Sequence, residues 1–429
     1  MKKIISKILK SFIRITLKLN FHFVYAFLIS KGTGIIHSKN NDGILVFGRI
    51  SSDMSLMTKN KKFNYFYLHR LQFFIPSLFL DKKLMSQRSY FKFKDQTSYN
   101  QKLKLRNNLL KILKFLKKHG NLKFILVSSY NYFEHQEWAN AGKELGIELI
   151  VYYKESVVAD GRIGGYNYYI SKSSNDINNI DKVLVYGESG FRQFKDTNII
   201  DNEKIFKVGS LKTDSLYSNL KNLNTNKFKK TITLYAFPCG EFQDDFDATT
   251  HYSQVWQAGY WCPNLWKDTI NLFAKLSNKY LDINFLVKTK SPTSTNAVKT
   301  YITDSSYDNL LFSNEMTTEE VYENSLLVVG FNTTVLIEML STDIPCLIPQ
   351  WSESNDIILK NKLLLTKKSE AYNSANNPKE FTSFIENLLN NPDLICINRD
   401  KQQRDEIVNY YLHAVDGKVS NRIEKILNE

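Results

Sequence analysis

Short, fully apolar runs recur along this chain, separated by stretches too long for hairpins and patterned as helices. That alternation constrains the fold more than any other feature. "GILVFGRISS", from Gly43 to Ser52, reads as a buried strand ending in a glycine turn. "QKLKLRNNLLKILKFLKKHG" is a basic amphipathic helix stopped by Gly120. "LKFILVSSY" reads as a strand, "HQEWANAGKELG" as a helix stopped by Gly146 and "IELIVYYKES" as another strand; "DKVLVYGESG" and "KIFKVGS" give two more. A strand covered on both faces has no polar side to show. Runs of this kind therefore predict a parallel sheet with helices on both faces.

The pattern breaks at "NLKNLNTNKFKK", polar and lysine-rich, and then restarts. "TITLYAFPCG", "DINFLVKTKSP" and "NLLFSN" read as strands, and "NLWKDTINLFAKLSNKY" as a helix. In "TTEEVYENS", Thr317 and Glu320 have the spacing of a capping box. "NPKEFTSFIENLLNN" and "VSNRIEKILNE" are late helices. The chain's 429 residues exceed one compact core. The predicted class is α/β: two doubly wound, Rossmann-like domains facing a central cleft. The first is expected over residues 35–217 and the second over 228–412, with a basic segment at 1–34 and a last helix at 413–429 that crosses back to the first domain.

The formal net charge is +14, from 57 Lys and Arg against 43 Asp and Glu. No basic-aromatic module of the nucleic-acid kind accompanies it, so no specific nucleic-acid partner is expected. The amino-terminal stretch places Ile5, Leu9, Phe12, Thr16 and Leu19 roughly on one helical face, with lysines largely off it. Its longest uncharged run, Leu19 to Ser30, is too short to span a bilayer. The expectation is a helix lying on an anionic membrane surface, or else packed on the first domain. Cys239, Cys262, Cys346 and Cys396 form no C-x-x-C pair, so neither a disulfide framework nor a zinc site is indicated, and a reducing, cytoplasmic location fits.

In open α/β sheets, ligands sit beyond the carboxyl ends of the strands. "LLVVGFNTTVLIEMLSTDIPCLIPQW" places Gly330, Phe331, Asn332, Thr333 and Thr334 at such an end, with a helix starting near Thr333. Free amides at a helix start, with threonine hydroxyls beside them, suit an anion such as phosphate. Glu338, a turn further on, has acceptor oxygens suited to ribose hydroxyls. Equally, Thr333 reads as a plain cap and Glu338 as a solvated helix residue. In the first domain Gly48, Ser51 and Ser52 lie at a strand end, where glycine is equally explained by turn geometry.

"VVGFNTTVLIEMLSTDIPCLIP" resembles the donor-site segment of GT-B glycosyltransferases that build bacterial capsule and lipopolysaccharide, and a similar segment occurs in CDP-glycerol-type polymer transferases and polysialyltransferase-like enzymes. "IFKVGSLKTDSLY" is similar to the G-x-x-x-x-D crossing between their two domains, and "HAVDGKVSNRIEKIL" to the D-G-x-x-S-x-R-I tail of surface-polysaccharide enzymes. The resemblance implies a nucleotide-activated sugar or polyol phosphate held on the second domain by Gly330, Asn332, Thr333, Thr334 and Glu338. It implies a polysaccharide or lipid-linked acceptor on the first domain, with Gly48, Ser51 and Ser52 on acceptor or phosphate. It also implies work at the inner face of the cytoplasmic membrane, without cofactor or metal. Where many related enzymes carry Lys-x-His-Pro, this chain has Lys288, Thr289, Lys290, Ser291 and Pro292, so Lys288 and Lys290 are left to neutralise the departing phosphate. A UDP-sugar 2-epimerase of the same fold, and a non-catalytic assembly protein, are the alternative readings.

Transfer needs a base near the acceptor hydroxyl. Glu155, at the end of "IVYYKES", is the first candidate, with Asp160, Glu134 and His135 as rivals. "AFPCGEFQDDFDATTHYSQVWQAGYWCPNLW" is expected to be a cleft-facing loop, its Tyr252, Trp256, Tyr260 and Trp261 either stacking on sugar or base or packing in the core, and its Asp244, Asp245 and Asp247 not a metal site.

Overall fold

The computed structural model describes residues 34–85, 87–173, 180–222, 230–236, 262–302, 308–342, 344–366, 369–391 and 400–429. Two sheets organise them. The first contains β1 (Gly34–Ile35), β2 (Gly43–Val46), β3 (Asn64–Tyr67), β4 (Leu122–Val127), β5 (Glu148–Tyr152), β6 (Lys182–Val185) and β7 (Ile205–Lys207). Their order is β1-β3-β2-β4-β5-β6-β7, with β1 antiparallel to β3 and every other pair parallel. The second contains β8 (Thr231–Tyr235), β9 (Asn284–Lys288), β10 (Leu310–Ser313), β11 (Ser325–Gly330), β12 (Cys346–Pro349) and β13 (Asn373–Ala375). Its order is β10-β9-β8-β11-β12-β13, all parallel.

The longer helices are α1 (Gln96–Gly120), α2 (Phe133–Glu144), α3 (Asp160–Ser173), α4 (Glu188–Phe194), α5 (Leu211–Asn222), α6 (Pro263–Lys279), α7 (Pro292–Lys299), α8 (Thr318–Asn324), α9 (Thr334–Leu340), α10 (Pro378–Asn390), α11 (Lys401–Leu412) and α12 (Val419–Asn428). The Thr317–Glu320 capping box forms in full. Two expectations shift. The strand read through Gly43–Ser52 ends at Val46, and Gly48–Ile50 and Ser51–Met54 turn into short helices. The break read from Asn219 begins later, because α5 continues to Asn222. α3 escaped the sequence pattern because Gly161, Gly164 and Gly165 lower helix propensity, and tertiary packing overrides them.

The strand orders locate both crevices. Numbering β8 to β13 from one to six gives 3-2-1-4-5-6, with the switch point between β8 and β11, where Gly330 pairs with Tyr235. Treating β2 to β7 likewise gives 2-1-3-4-5-6, with the switch between β2 and β4. Ligand chemistry is therefore expected past Val46 and Val127 in one half, and past Tyr235 and Gly330 in the other.

One continuous apolar cluster joins the halves, running from Ile44, Tyr152 and Tyr186 through Leu211 to Tyr235, Leu336 and Ile348. The carboxyl-terminal helices strap them together. Arg404 of α11 donates to the Thr342 carbonyl at 3.2 Å, while Tyr410 donates to Asp160 and accepts from Arg192. α12 then returns to the first half and buries Val419, Ile423 and Leu427 on one face. Asp214 caps it, accepting from the Val419 and Ser420 amides at 3.0 and 2.9 Å and from Ser420 Oγ at 2.9 Å. Arg422 donates to the Val208 carbonyl at 2.8 Å and to Asp416 at 3.0 Å. The crossing segment and the tail segment are thus two halves of one clasp.

Candidate functional site

The first half places titratable side chains past its strand ends. β5 ends at Tyr152, so Lys154 and Glu155 lie in a turn and strand alternation does not separate them. Hydrogen bonding does. Lys154 pairs with buried Asp53 at 3.1 Å and donates to the Arg49 carbonyl. The Glu155 backbone is held by Gln193, whose amide donates to the Glu155 carbonyl at 3.1 Å and the Ser156 carbonyl at 3.3 Å. The Glu155 side chain is half-buried. Burial raises its carboxyl above the ordinary glutamate range, against the opposing pull of Lys290, Lys154, Arg49 and Arg162.

Lys290 belongs to the second half, so the Glu155 carboxylate feels an ammonium of the other domain. The approach is tight nearby. The Gly161 amide donates to the Asn361 carbonyl at 3.0 Å, and a Cβ on Gly161 would lie 2.4 Å from that oxygen. The Leu364 amide, three residues on, donates to Asn332 Oδ1 at 3.0 Å. Gly161, the 361–364 turn and the Asn332 loop therefore form one connected wall. Asn332 takes the left-handed conformation, φ 48°, in that loop.

The rival acids are otherwise engaged. Asp160 is tied to Arg192 and Tyr410. Glu134 is buried against Arg49 at 3.1 Å, and burial lifts its carboxyl. His135 is buried, with Nδ1 3.1 Å from the Ser129 carbonyl. A carbonyl can only accept, so Nδ1 carries the ring proton and Nε2 the lone pair. Burial pushes its pKa down to about 3, and Nε2 has no hydrogen-bond partner among the described residues. The remaining predicted residues at this end have local partners. The Gly48 amide donates to Gln72 Oε1 at 2.9 Å, and a Cβ there would lie 2.7 Å from the His69 carbonyl oxygen. Close packing accounts for this glycine, and its amide is already committed. Ser51 Oγ donates to the Gly48 carbonyl at 2.9 Å, while Ser52 is exposed beside Asp53.

The second half offers hydroxyls and amides. Thr333 is buried as the N-cap of α9, its Oγ accepting from the Val335 amide at 3.4 Å; Thr334 is exposed. A Cβ on Gly330 would press on Thr333 and Leu336 at 3.2 and 3.3 Å. Lys288 is half-buried, donates to the Thr289 carbonyl at 2.9 Å, and has its ammonium pKa lowered by burial. Lys290 is exposed. Ser291 caps α7, accepting from the Ser294 amide at 3.1 Å, and Thr289 Oγ1 lies 2.6 Å from Thr295 Oγ1. The hydroxyls of Ser294 and Thr295, and Arg49, Arg162, Gly161 and Asn361, were not singled out from sequence. Partners distant in the chain leave no local signal.

Glu338 is not a solvated helix residue. It is 8% exposed and accepts from Tyr322 Oη at 2.9 Å. With Lys212, Thr213, Thr318 and Glu319 it lines a small cavity between α5, α8 and α9. Burial raises its carboxyl, opposed by Lys212. Tyr186, from the first half, feels both Asp53 and Glu338. The acidic, aromatic loop, with Asp244, Asp245, Asp247, Tyr252, Trp256, Tyr260 and Trp261, lies outside the described residues. So does nearly all of the amino-terminal segment, and no described helix is long and apolar enough to cross a membrane. A broad polar groove of about 680 Å³, lined by Ile180 and Asp196 to Lys204, lies at the opposite, amino end of β6 and β7, away from both switch points.

No protein-family model matches this sequence, and no curated protein matches it. Solved structures do. The wall teichoic acid polymerase TagF is similar with a TM-score of 0.53 at 12% identity, over 99% of this chain and 98% of that one. A second structure of that polymerase, soaked with CDPG, gives 0.50 at 12%, over 99% and 97%. UDP-GlcNAc 2-epimerase from Neisseria meningitidis, bound to UDP-GlcNAc, gives 0.50 at 12%, over 90% and 99%. The fold is thus GT-B: two doubly wound α/β domains facing a cleft.

Proposed function

We propose that this chain is a metal-independent glycosyltransferase. It takes a sugar or polyol phosphate from a nucleotide-activated donor and passes it to a surface polysaccharide or lipid-linked acceptor, at the inner face of the cytoplasmic membrane. The observation that carries the reading is the apposition of the two strand-end rims: Gly161 of the first domain packs against Asn361 of the second, and the Glu155 carboxylate is close enough to feel the charge of Lys290. The donor lies on the second domain. Thr334, the amides after Thr333, and Lys288 and Lys290 take up charge on the departing phosphate. Glu338, one turn into α9, is assigned to the donor's ribose hydroxyls. The acceptor hydroxyl enters from the first domain and attacks the transferred group. The bond to the nucleotide phosphate breaks, and Glu155 receives the hydroxyl proton. A half-buried carboxylate with a raised pKa is the more basic for it.

The structural likeness to an epimerase keeps one competing reaction in view. A thermal-shift series with CMP, CDP, UDP and GDP tests the donor site, because a ligand bound only to the folded chain raises Tm. One nucleotide is expected to stand out. No shift with any of them sinks the donor site. Conversion of UDP-N-acetylglucosamine to its 2-epimer without an acceptor would replace transfer by epimerisation.

A further inference from the structure

We infer that the outer face of α1 docks the enzyme on an anionic lipid bilayer. The inference deepens the membrane-peripheral part of the proposed function and is independent of the donor chemistry. α1 runs for 25 residues without one Asp or Glu. Its inner face buries Leu105, Leu109, Ile112, Leu113 and Leu116. On the opposite side, Asn100, Lys104, Asn107, Lys111, Lys114 and Lys118 are all exposed. At 3.6 residues per turn they fall within an arc of about 80°, and the lysines span about 21 Å of helix.

The cations elsewhere on α1 have structural work. Arg106 turns inward to Glu137 at 2.7 Å, Lys102 donates to the Tyr90 and Phe93 carbonyls, and Lys117 donates to the Leu145 carbonyl. Among the described residues, the four lysines of the arc make no ion pair. Along one edge of the arc stand Tyr99, 53% exposed, and the half-buried Leu103 and Leu110. A straight lysine stripe with an apolar edge suits a flat charged surface with an apolar interior. Lysine is a hydrated point charge that needs no fixed geometry in its partner. A nucleic-acid reader would present arginine forks or stacked aromatics, and the arc has neither. Residues 1–33 add seven Lys and Arg and no acid, and the chain from them enters the same sheet at its edge, through β1 beside β3.

The test is co-sedimentation of the full chain with vesicles of phosphatidylglycerol and phosphatidylcholine, against phosphatidylcholine alone. Binding is expected only to the anionic vesicles and is expected to weaken as salt rises. The K104Q/K111Q/K114Q/K118Q variant should bind about tenfold or more weakly, since each juxtamembrane cation contributes separately. A control variant of four exposed lysines elsewhere, K267Q/K275Q/K379Q/K401Q, should change binding less than about twofold by the same reasoning. Both variants should keep the nucleotide-induced thermal shift, which separates loss of docking from loss of the donor site. The inference is overturned if the first variant binds like the parent, or if both variants weaken alike. It is equally overturned if a DNA or RNA duplex binds more tightly than the vesicles and only the first variant loses that binding.

Discussion

The two strand-end rims of the cleft differ in chemistry. The first domain's rim is built from titratable side chains with fixed partners, Arg49 on Glu134, Lys154 on Asp53 and His135 on the Ser129 carbonyl, beside Glu155, whose backbone is held by Gln193. The second domain's rim is mostly neutral: Gly330, Thr333, Thr334, Thr289, Ser291 and Ser294, with Lys288 and Lys290 as its charges. Buried acids and imidazole can move protons. Amides and hydroxyls at helix starts can hold an anion but cannot titrate in the working range. On the proposed reading, the difference gives proton transfer to one domain and phosphate binding to the other.

Breaking the first rim should abolish turnover and leave binding alone. Glu155→Gln is expected to lower kcat by about 10²- to 10⁴-fold, the usual contribution of a general base, with nucleotide affinity retained. The base must be ionised. In the parent enzyme, kcat/KM should therefore fall as pH drops through a pKa above the ordinary glutamate value, and the variant should lack that limb. Equal turnover by Glu155→Gln would remove Glu155 as the base.

Titrating the same rim should also show in stability. At pH below about 6.5 the unfolded chain protonates His135, while the folded chain does not until about 3. Stability is therefore lost as pH falls through that window, at up to about 1.4 kcal/mol per pH unit from this group. His135→Gln should flatten that part of the stability–pH curve measured by urea unfolding, and an unchanged slope would show the ring to be solvated.

Changes in the second rim should act on the donor. Glu338→Ala removes the acceptor of buried Tyr322 and should cost about 1–3 kcal/mol of unfolding free energy. Glu338→Gln keeps an acceptor there and should hold stability while weakening the nucleotide. Wild-type affinity in Glu338→Gln would make the residue purely structural. The smallest effect is expected from Thr334→Ala. This exposed side chain should contribute about one hydrogen bond to phosphate, so Kd should rise by about tenfold or less with Tm unchanged. No change in Kd would turn the phosphate away from α9.

The fold was legible because a doubly wound sheet writes itself locally. Each strand is an apolar run, each helix a periodic one, and the break after α5 separates two such series. Residue type and strand-end position singled out Glu155 and the Gly330–Thr334 loop, and the resemblance singled out Lys288 and Lys290. Their surroundings were not legible. The burial of Glu338 depends on Tyr322 and Lys212, the committed amide of Gly48 on Gln72, and the fit of Gly161 on Asn361. The asymmetry has a physical reason. Backbone periodicity and capping are set by neighbours along the chain, so composition and spacing determined them. Desolvation, hydrogen-bond partners and the apposition of the two rims depend on groups up to hundreds of residues apart, and only the tertiary structure decided those.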